Sequence, residues 1–334
     1  MSLNLASKGG VVRKTIIFGN GLGMALDPNY FSLDRAIGEV WADDAILDDV
    51  GKTLIKNCLP DQTDARPHGE DDLDTLQVAL SACELLSRIG EDRIHWLSEH
   101  GKHFPEAIRR FIYHTAHKFH GHQPGLPAEF IEPLVDFVKA TQSHIATLNY
   151  DNLLYQPLIE NEVLKGYDGY LVDGFLNAGG FAIEHVERKY KKTFGYYMHL
   201  HGSPLFVNGD DGHAHKMPQA IAGKLGSTES SHIVLTHFKH KPTVIAASDV
   251  LSAYWKLLEA ALLESDGIVI VGYSGLDTHL NDLISGYPQL PIRVVEWSGA
   301  GNAGARHFYW DGLFPKRTQL TSLDSILSFK DWGA

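Results

Sequence analysis

Cysteine is scarce in this chain of 334 residues: there are two, Cys58 and Cys83. Two thiols exclude a disulfide framework and a four-cysteine zinc module. Long apolar runs are missing as well. No stretch approaches the roughly 20 apolar residues that a membrane helix needs. The opening MSLNLASKGG lacks the apolar centre of a secretory signal. Positive charge is in deficit, with 29 Lys and Arg against 41 Asp and Glu, a formal net charge of -12. No long basic run offsets that balance, which argues against a nucleic-acid surface. The expectation is an acidic, soluble, cytoplasmic protein of a reducing compartment, with neither membrane nor nucleic acid among its partners.

What is present is enough apolar material for a large core, 44% of the chain. Thr15 to Phe18 (TIIF) reads as a buried first strand that stops at Gly19-Asn20-Gly21-Leu22-Gly23, a glycine turn that a phosphate could approach without Cβ clashes. From about 43 to 140 the apolar spacing turns helical, with a polar loop from Asp61 to Asp71 that holds Pro67 and Gly69. His144–Leu148 and Tyr196–Leu200 read as further strands, and Asn152–Ile159 as a helix between them. Residues 160–195 look irregular, with the pair Gly179-Gly180 among their glycines. Ile233–Leu235 reads as a short strand, Gly267–Gly272 (GIVIVG) as a strongly apolar one, and Ile292–Glu296 as the last clear strand. A helix is expected from about Asp277. Strands alternating with helices predict an α/β fold built on a doubly wound parallel sheet, Rossmann-like, with an inserted helical subdomain. The chain is read as one domain over 1–334: a core of about 12–42 and 141–315, and a helical insertion of about 43–140.

Four polar or glycine clusters fall at predicted strand C-termini: Gly19-Asn20-Gly21, Asn149-Tyr150-Asp151, His201-Gly202-Ser203 and Gly272-Tyr273-Ser274. Ligands of open α/β sheets bind outside the carboxyl ends of the strands, so the clusters point to one site. Each has a plainer reading. The glycines are a tight turn, and Asn-x-Asp is a helix cap. The run His114, His117, His120 and His122 reads as the polar face of a helix end rather than a metal site, because no carboxylate or cysteine lies within it.

Taken together, these motifs resemble the sirtuin family. Gly19-Asn20-Gly21, Thr147-Leu148-Asn149-Tyr150-Asp151, His201-Gly202 and Gly272-Tyr273-Ser274 are similar, in order, to that family's nucleotide-binding motifs. The match is nearest to the bacterial sirtuin-like branch, several members of which are NAD-degrading enzymes of anti-phage defence. The resemblance implies a sirtuin-like domain with NAD as substrate or ligand and an NADase activity giving nicotinamide and ADP-ribose. Without four cysteines no zinc is expected, and an acyl-lysine substrate is disfavoured. The alternatives are a non-catalytic sensor of NAD or ADP-ribose regulated by a partner, and a zinc-free deacylase or ADP-ribosyltransferase. A homo-oligomer and a separately encoded regulatory partner both fit the reading.

Breaking the nicotinamide glycosidic bond needs no acid for the leaving group; the oxocarbenium-like ribose must be held and a nucleophile positioned. By resemblance, Asn149 serves the ribose or a water, Asp151 accepts from the carboxamide, and His201 takes a proton. His199 would share a strand face with His201, and His201 is preferred because it precedes the glycine as in the family. Ser203 and Ser274 would contact ribose or phosphate. Asp27 and Phe31 would belong to a loop over the cofactor. Glu296 would bind the adenosine ribose or serve as a structural carboxylate.

Overall fold

The computed structural model describes residues 12–59, 66–90, 96–175, 180–189, 191–218, 232–235 and 241–333. The opening segment, part of the 61–71 loop and Gly179 lie outside the described residues. The β-branched runs read above become largely buried strands. β1 (Lys14–Phe18) and β7 (Gly267–Val271) are buried along their whole length, as expected of strands covered on both faces. Between and around them lie β2 (His144–Thr147), β3 (Leu171–Val172), β4 (Gly195–His199), β8 (Ile292–Trp297) and β9 (Thr318–Leu323). These seven form one parallel sheet in the order β3-β4-β2-β1-β7-β8-β9. A separate antiparallel hairpin joins β5 (Phe206–Asn208) to β6 (Ala214–Lys216).

Alternate residues of each strand enter different cores, as the two-residue period requires. Ile17, Ala146, Ile270 and Val294 face the layer of α8 (Lys241–Ala246), α9 (Asp249–Glu264), α10 (Thr278–Ser285) and α11 (Ala303–Leu313). Ile16, Phe18, Ile145 and Val271 face α1 (Gly21–Leu26), α6 (Ala128–Thr141) and α7 (Tyr155–Glu160). The sheet is therefore doubly wound and Rossmann-like, as the strand–helix alternation predicts. A third cluster gathers α2 (Leu33–Trp41), α3 (Asp49–Cys58), α4 (Glu70–Ile89) and α5 (Glu99–His117) around Ile37, Leu76, Ile108 and Phe111. Phe130, Leu134 and Val138 place α6 on the sheet instead of in that cluster.

Local differences from the sequence reading have physical causes. The stretch 160–195 contains β3, too short at two residues to show a period. β9 follows the last strand read from sequence; it is an edge strand, TQLTSL, with partly exposed residues and few apolar ones. Ile233 makes only an isolated bridge to Gly202. The helix expected from Asn152 begins at Tyr155, because the Asp151 side chain accepts from Leu153 N–H at 3.0 Å and holds a turn first. No helix among the described residues is long and apolar enough to cross a membrane.

Candidate functional site

The strand order reverses at β1, which pairs with β2 on one side and β7 on the other. In doubly wound sheets that reversal opens a crevice at the strands' carboxyl ends. Here the crevice is a cleft of about 1130 Å³. The glycine turns after β1 and β7 form its floor and pack directly on each other. Gly21 N–H donates to Gly272 O at 2.8 Å. A Cβ on Gly21 would lie 2.5 Å from that oxygen, so neither turn has room for a side chain. The amides of Gly19, Gly21 and Leu22 are all spent on protein carbonyls. The first turn thus offers a ligand close approach rather than a row of donors. Asn20 is exposed at its tip, with Nδ2 donating to Phe31 O at 3.3 Å.

Asn149 leaves β2 over this floor. Its Nδ2 donates to Gly19 O at 3.1 Å, which ties two strand ends together. Its Oδ1 is buried with no hydrogen-bond partner. An orphaned buried acceptor costs about 1–3 kcal/mol. Asp151, also on the cleft wall, is buried, and that burial raises its carboxyl to about 6.

His201 faces them from the end of β4. Its Nε2 lies 2.9 Å from Asp277 Oδ2, and both groups are buried. Asp277 is the N-cap of α10, its Oδ1 accepting from Leu280 N–H at 3.2 Å. Its Oδ2 also receives Lys241 Nζ at 3.0 Å. Burial pushes the Asp277 carboxyl up, but the hydrogen bond from His201 and the Lys241 ammonium outweigh it and hold the group far below the usual carboxylate range. Burial, then Lys241, lowers His201. The pair is therefore an ionised carboxylate and a neutral imidazole whose Nε2–H is donated. That fixes the tautomer with Nδ1 as the basic nitrogen. Tyr150, 6.4 Å from the His201 ring between centroids, donates its hydroxyl to Val234 O.

No protein-family model matches this sequence, and no curated protein does. Among solved structures the chain is similar to one described as "Structural Basis for the Mechanism and Regulation of Sir2 Enzymes". Identity is 10%, with 95% of this chain and 89% of that chain covered and a TM-score of 0.41.

The cleft brings together Gly19, Asn20, Gly21, Asn149, Asp151, His201, Gly272, Ser274 and Glu296. Ser203, Asp27 and Phe31 do not line it. Ser203 is buried, and its Oγ accepts from Leu205 N–H at 3.2 Å. Asp27 accepts from Asn29 and Tyr30 amides at 3.0 Å each and faces His122. Phe31 is fully buried under Gly23. Glu296 is buried at the end of β8, its carboxylate taken by Arg306 Nη2 at 2.7 Å and Trp310 Nε1 at 2.9 Å. His199 sits apart from the cleft among the rings of Tyr155, Tyr197 and Phe206. The histidine run read as a polar face is not one. His120 is buried, and His122 packs against Tyr30 and Phe31.

Asp277, Lys241 and Glu70 escaped the sequence reading as site residues. Asp277 carries a signal only in retrospect: an Asp at an N-cap has one oxygen left for another partner. Lys241 and Glu70 carry none, because only the tertiary fold brings α8 and the start of α4 to the cleft.

Asp151 gives a prediction in the absence of ligand. Its carboxyl is raised in the fold, so protonation stabilises the folded state. The contribution is complete below about pH 4 and is lost as pH rises through about 6. Asp151→Asn keeps an oxygen for the Leu153 amide and removes the buried charge. Its stability relative to wild type is expected to rise between pH 4 and 7 by about 1–3 kcal/mol, read from urea unfolding at each pH. A difference that is flat with pH would contradict a charged, desolvated Asp151.

Proposed function

We propose that this chain is a sirtuin-like enzyme that binds NAD across the strand C-termini and hydrolyses it to nicotinamide and ADP-ribose. The observation that carries the reading is the orphaned Oδ1 of buried Asn149, a residue that lines the same cleft as His201. A ribose hydroxyl or a bound water supplies the missing donor. The motif resemblance at these positions supports NAD as the ribose's source.

Asn149 holds the nicotinamide ribose or orients the attacking water, and it adds no charge there. Asp151 accepts from the carboxamide NH₂. The C1′–N bond breaks with its electron pair going to the pyridinium, so nicotinamide leaves neutral. Water forms the new C1′–O bond and gives its proton to His201 Nδ1. The Nε2–H donated to Asp277 keeps the ring in register while the imidazolium forms, and a positioned base of this kind contributes about 10²–10⁴-fold. Glu296 lies at the end of β8, where a dinucleotide fold places the adenosine ribose, and Arg306 reaches it from α11. As a close ion pair they present little net charge to a 2′-phosphate.

The test is incubation of the purified protein with NAD, with nicotinamide and ADP-ribose quantified by chromatography. Equal release of both supports hydrolysis. NAD bound without release replaces it with a sensor function. Nicotinamide without free ADP-ribose indicates transfer to another acceptor.

A further inference from the structure

Asp277 Oδ2 accepts from two donors, His201 Nε2–H and Lys241 Nζ, and the second of them has no role in the mechanism above. Lys241 is 4% exposed. Its Nζ lies 3.0 Å from Asp277 Oδ2 and 3.9 Å from Glu70 Oε2. It therefore stands between the carboxylate behind His201 and the acidic start of α4 at the cleft. A buried Lys–Asp pair is costly to assemble and is weak evidence of a purely stabilising role.

We propose that Lys241 is a positioning residue for His201: by sharing Asp277 Oδ2 it keeps that carboxylate ionised and in place, and it keeps the imidazole neutral so that Nδ1 can act as a base. Without Lys241, Asp277 would be a single buried anion against His201, and the pair would draw a proton onto the imidazole. With Lys241, the positive charge that pairing demands is already supplied. The groups facing His201 are Asp277 at the start of α10, Lys241 on α8, Glu70 on α4 and the neutral Tyr150 ring after β2. Lys241 opposes a proton on His201, while Asp277 and Glu70 favour one. Glu70, with its side chain 47% exposed, is the weakest of these because water screens it.

The consequence for turnover rests on the hydrolase reading, but the inference is tested without turnover. The His201 ring is followed by histidine-edited NMR across pH, assigned by the resonance lost in His201→Ala. Lys241→Met is expected to raise the His201 titration midpoint by about 1 pH unit or more, and Lys241→Arg to leave it near the wild-type value. Glu70→Gln, which leaves Lys241 in place, is expected to lower it by a few tenths of a unit. If NAD is cleaved, the acid limb of kcat/KM moves with the midpoint in each variant. A midpoint unchanged in Lys241→Met, folded by circular dichroism, overturns the proposal. Should Lys241→Met fail to fold, Lys241→Gln decides it by the sign of its shift. Absence of NAD cleavage with the midpoints shifted as stated would overturn the hydrolase reading and leave this one standing.

Discussion

His201→Ala is expected to lower kcat for NAD cleavage by about 10²–10⁴-fold while leaving NAD affinity within a few-fold of wild type. The reasoning is local. In the proposed mechanism the imidazole acts on the proton released as water attacks, a demand that exists in the transition state and not in the bound substrate. Asn149→Ala is expected to differ in kind. Asn149 Nδ2 ties β2 to Gly19 and its Oδ1 has no partner; if that oxygen binds the ribose as proposed, its loss weakens binding and turnover together. The double variant is expected to be little worse than the more damaged single one, because ribose and nucleophile are placed as a unit. Steady-state kinetics of the three variants check this. A His201→Ala enzyme with near-normal kcat would remove the imidazole from the mechanism.

The second large effect concerns the glycine after His201. Gly202 has a φ of +82°, and a Cβ there would lie 1.7 Å from His232 O. That oxygen belongs to the 232–235 segment, which is fixed by the Gly202–Ile233 bridge and by Val234 N–H donating to His201 O at 2.9 Å. Gly202→Ala must therefore displace backbone. The expected cost is more than about 4 kcal/mol, which exceeds the roughly 1–2 kcal/mol of left-handed strain alone. Gly212 supplies the control, with a φ of +80° and nothing within 4 Å of the point where a Cβ would stand. Gly212→Ala isolates the strain and should cost about 1 kcal/mol. Urea unfolding of the two variants separates packing from conformation. Tyr150 hydrogen-bonds Val234 O, so movement of the segment in Gly202→Ala also disturbs the cleft wall.

These two effects mark what could be read from the residues alone. TIIF, GIVIV and IRVVE announce buried parallel strands because each run is apolar, β-branched and stopped by a turn or a polar residue. Their polar ends lie together at the switch point for the same reason: parallel strands bring their carboxyl ends to one edge. That Asn149, Asp151 and His201 share one cleft was legible on that basis. Lys241 and Asp277 were not legible as a pair, because 36 positions separate them and their contact depends on how α8 and α10 pack. The two-residue β3 and the partly exposed β9 are too weak in pattern to stand out. The histidine run deceived because spacing suggests a solvated face, whereas His120 and His122 turn inward against the neighbouring rings. Ser203 and Phe31 show the limit of motif transfer: each is the residue type expected, yet in this fold each side chain packs away from the cleft.

The central claim is that the cleft holds NAD with its nicotinamide ribose against Asn149. The most direct measurement is a calorimetric titration of NAD into His201→Ala protein, in which turnover is silenced, beside the His201→Ala, Asn149→Ala double variant. The account predicts saturable binding of one NAD per chain to the first and an affinity about tenfold weaker in the second, the equivalent of one lost polar contact at about 1.4 kcal/mol. Equal affinity in the two proteins, or no binding to either, would contradict it.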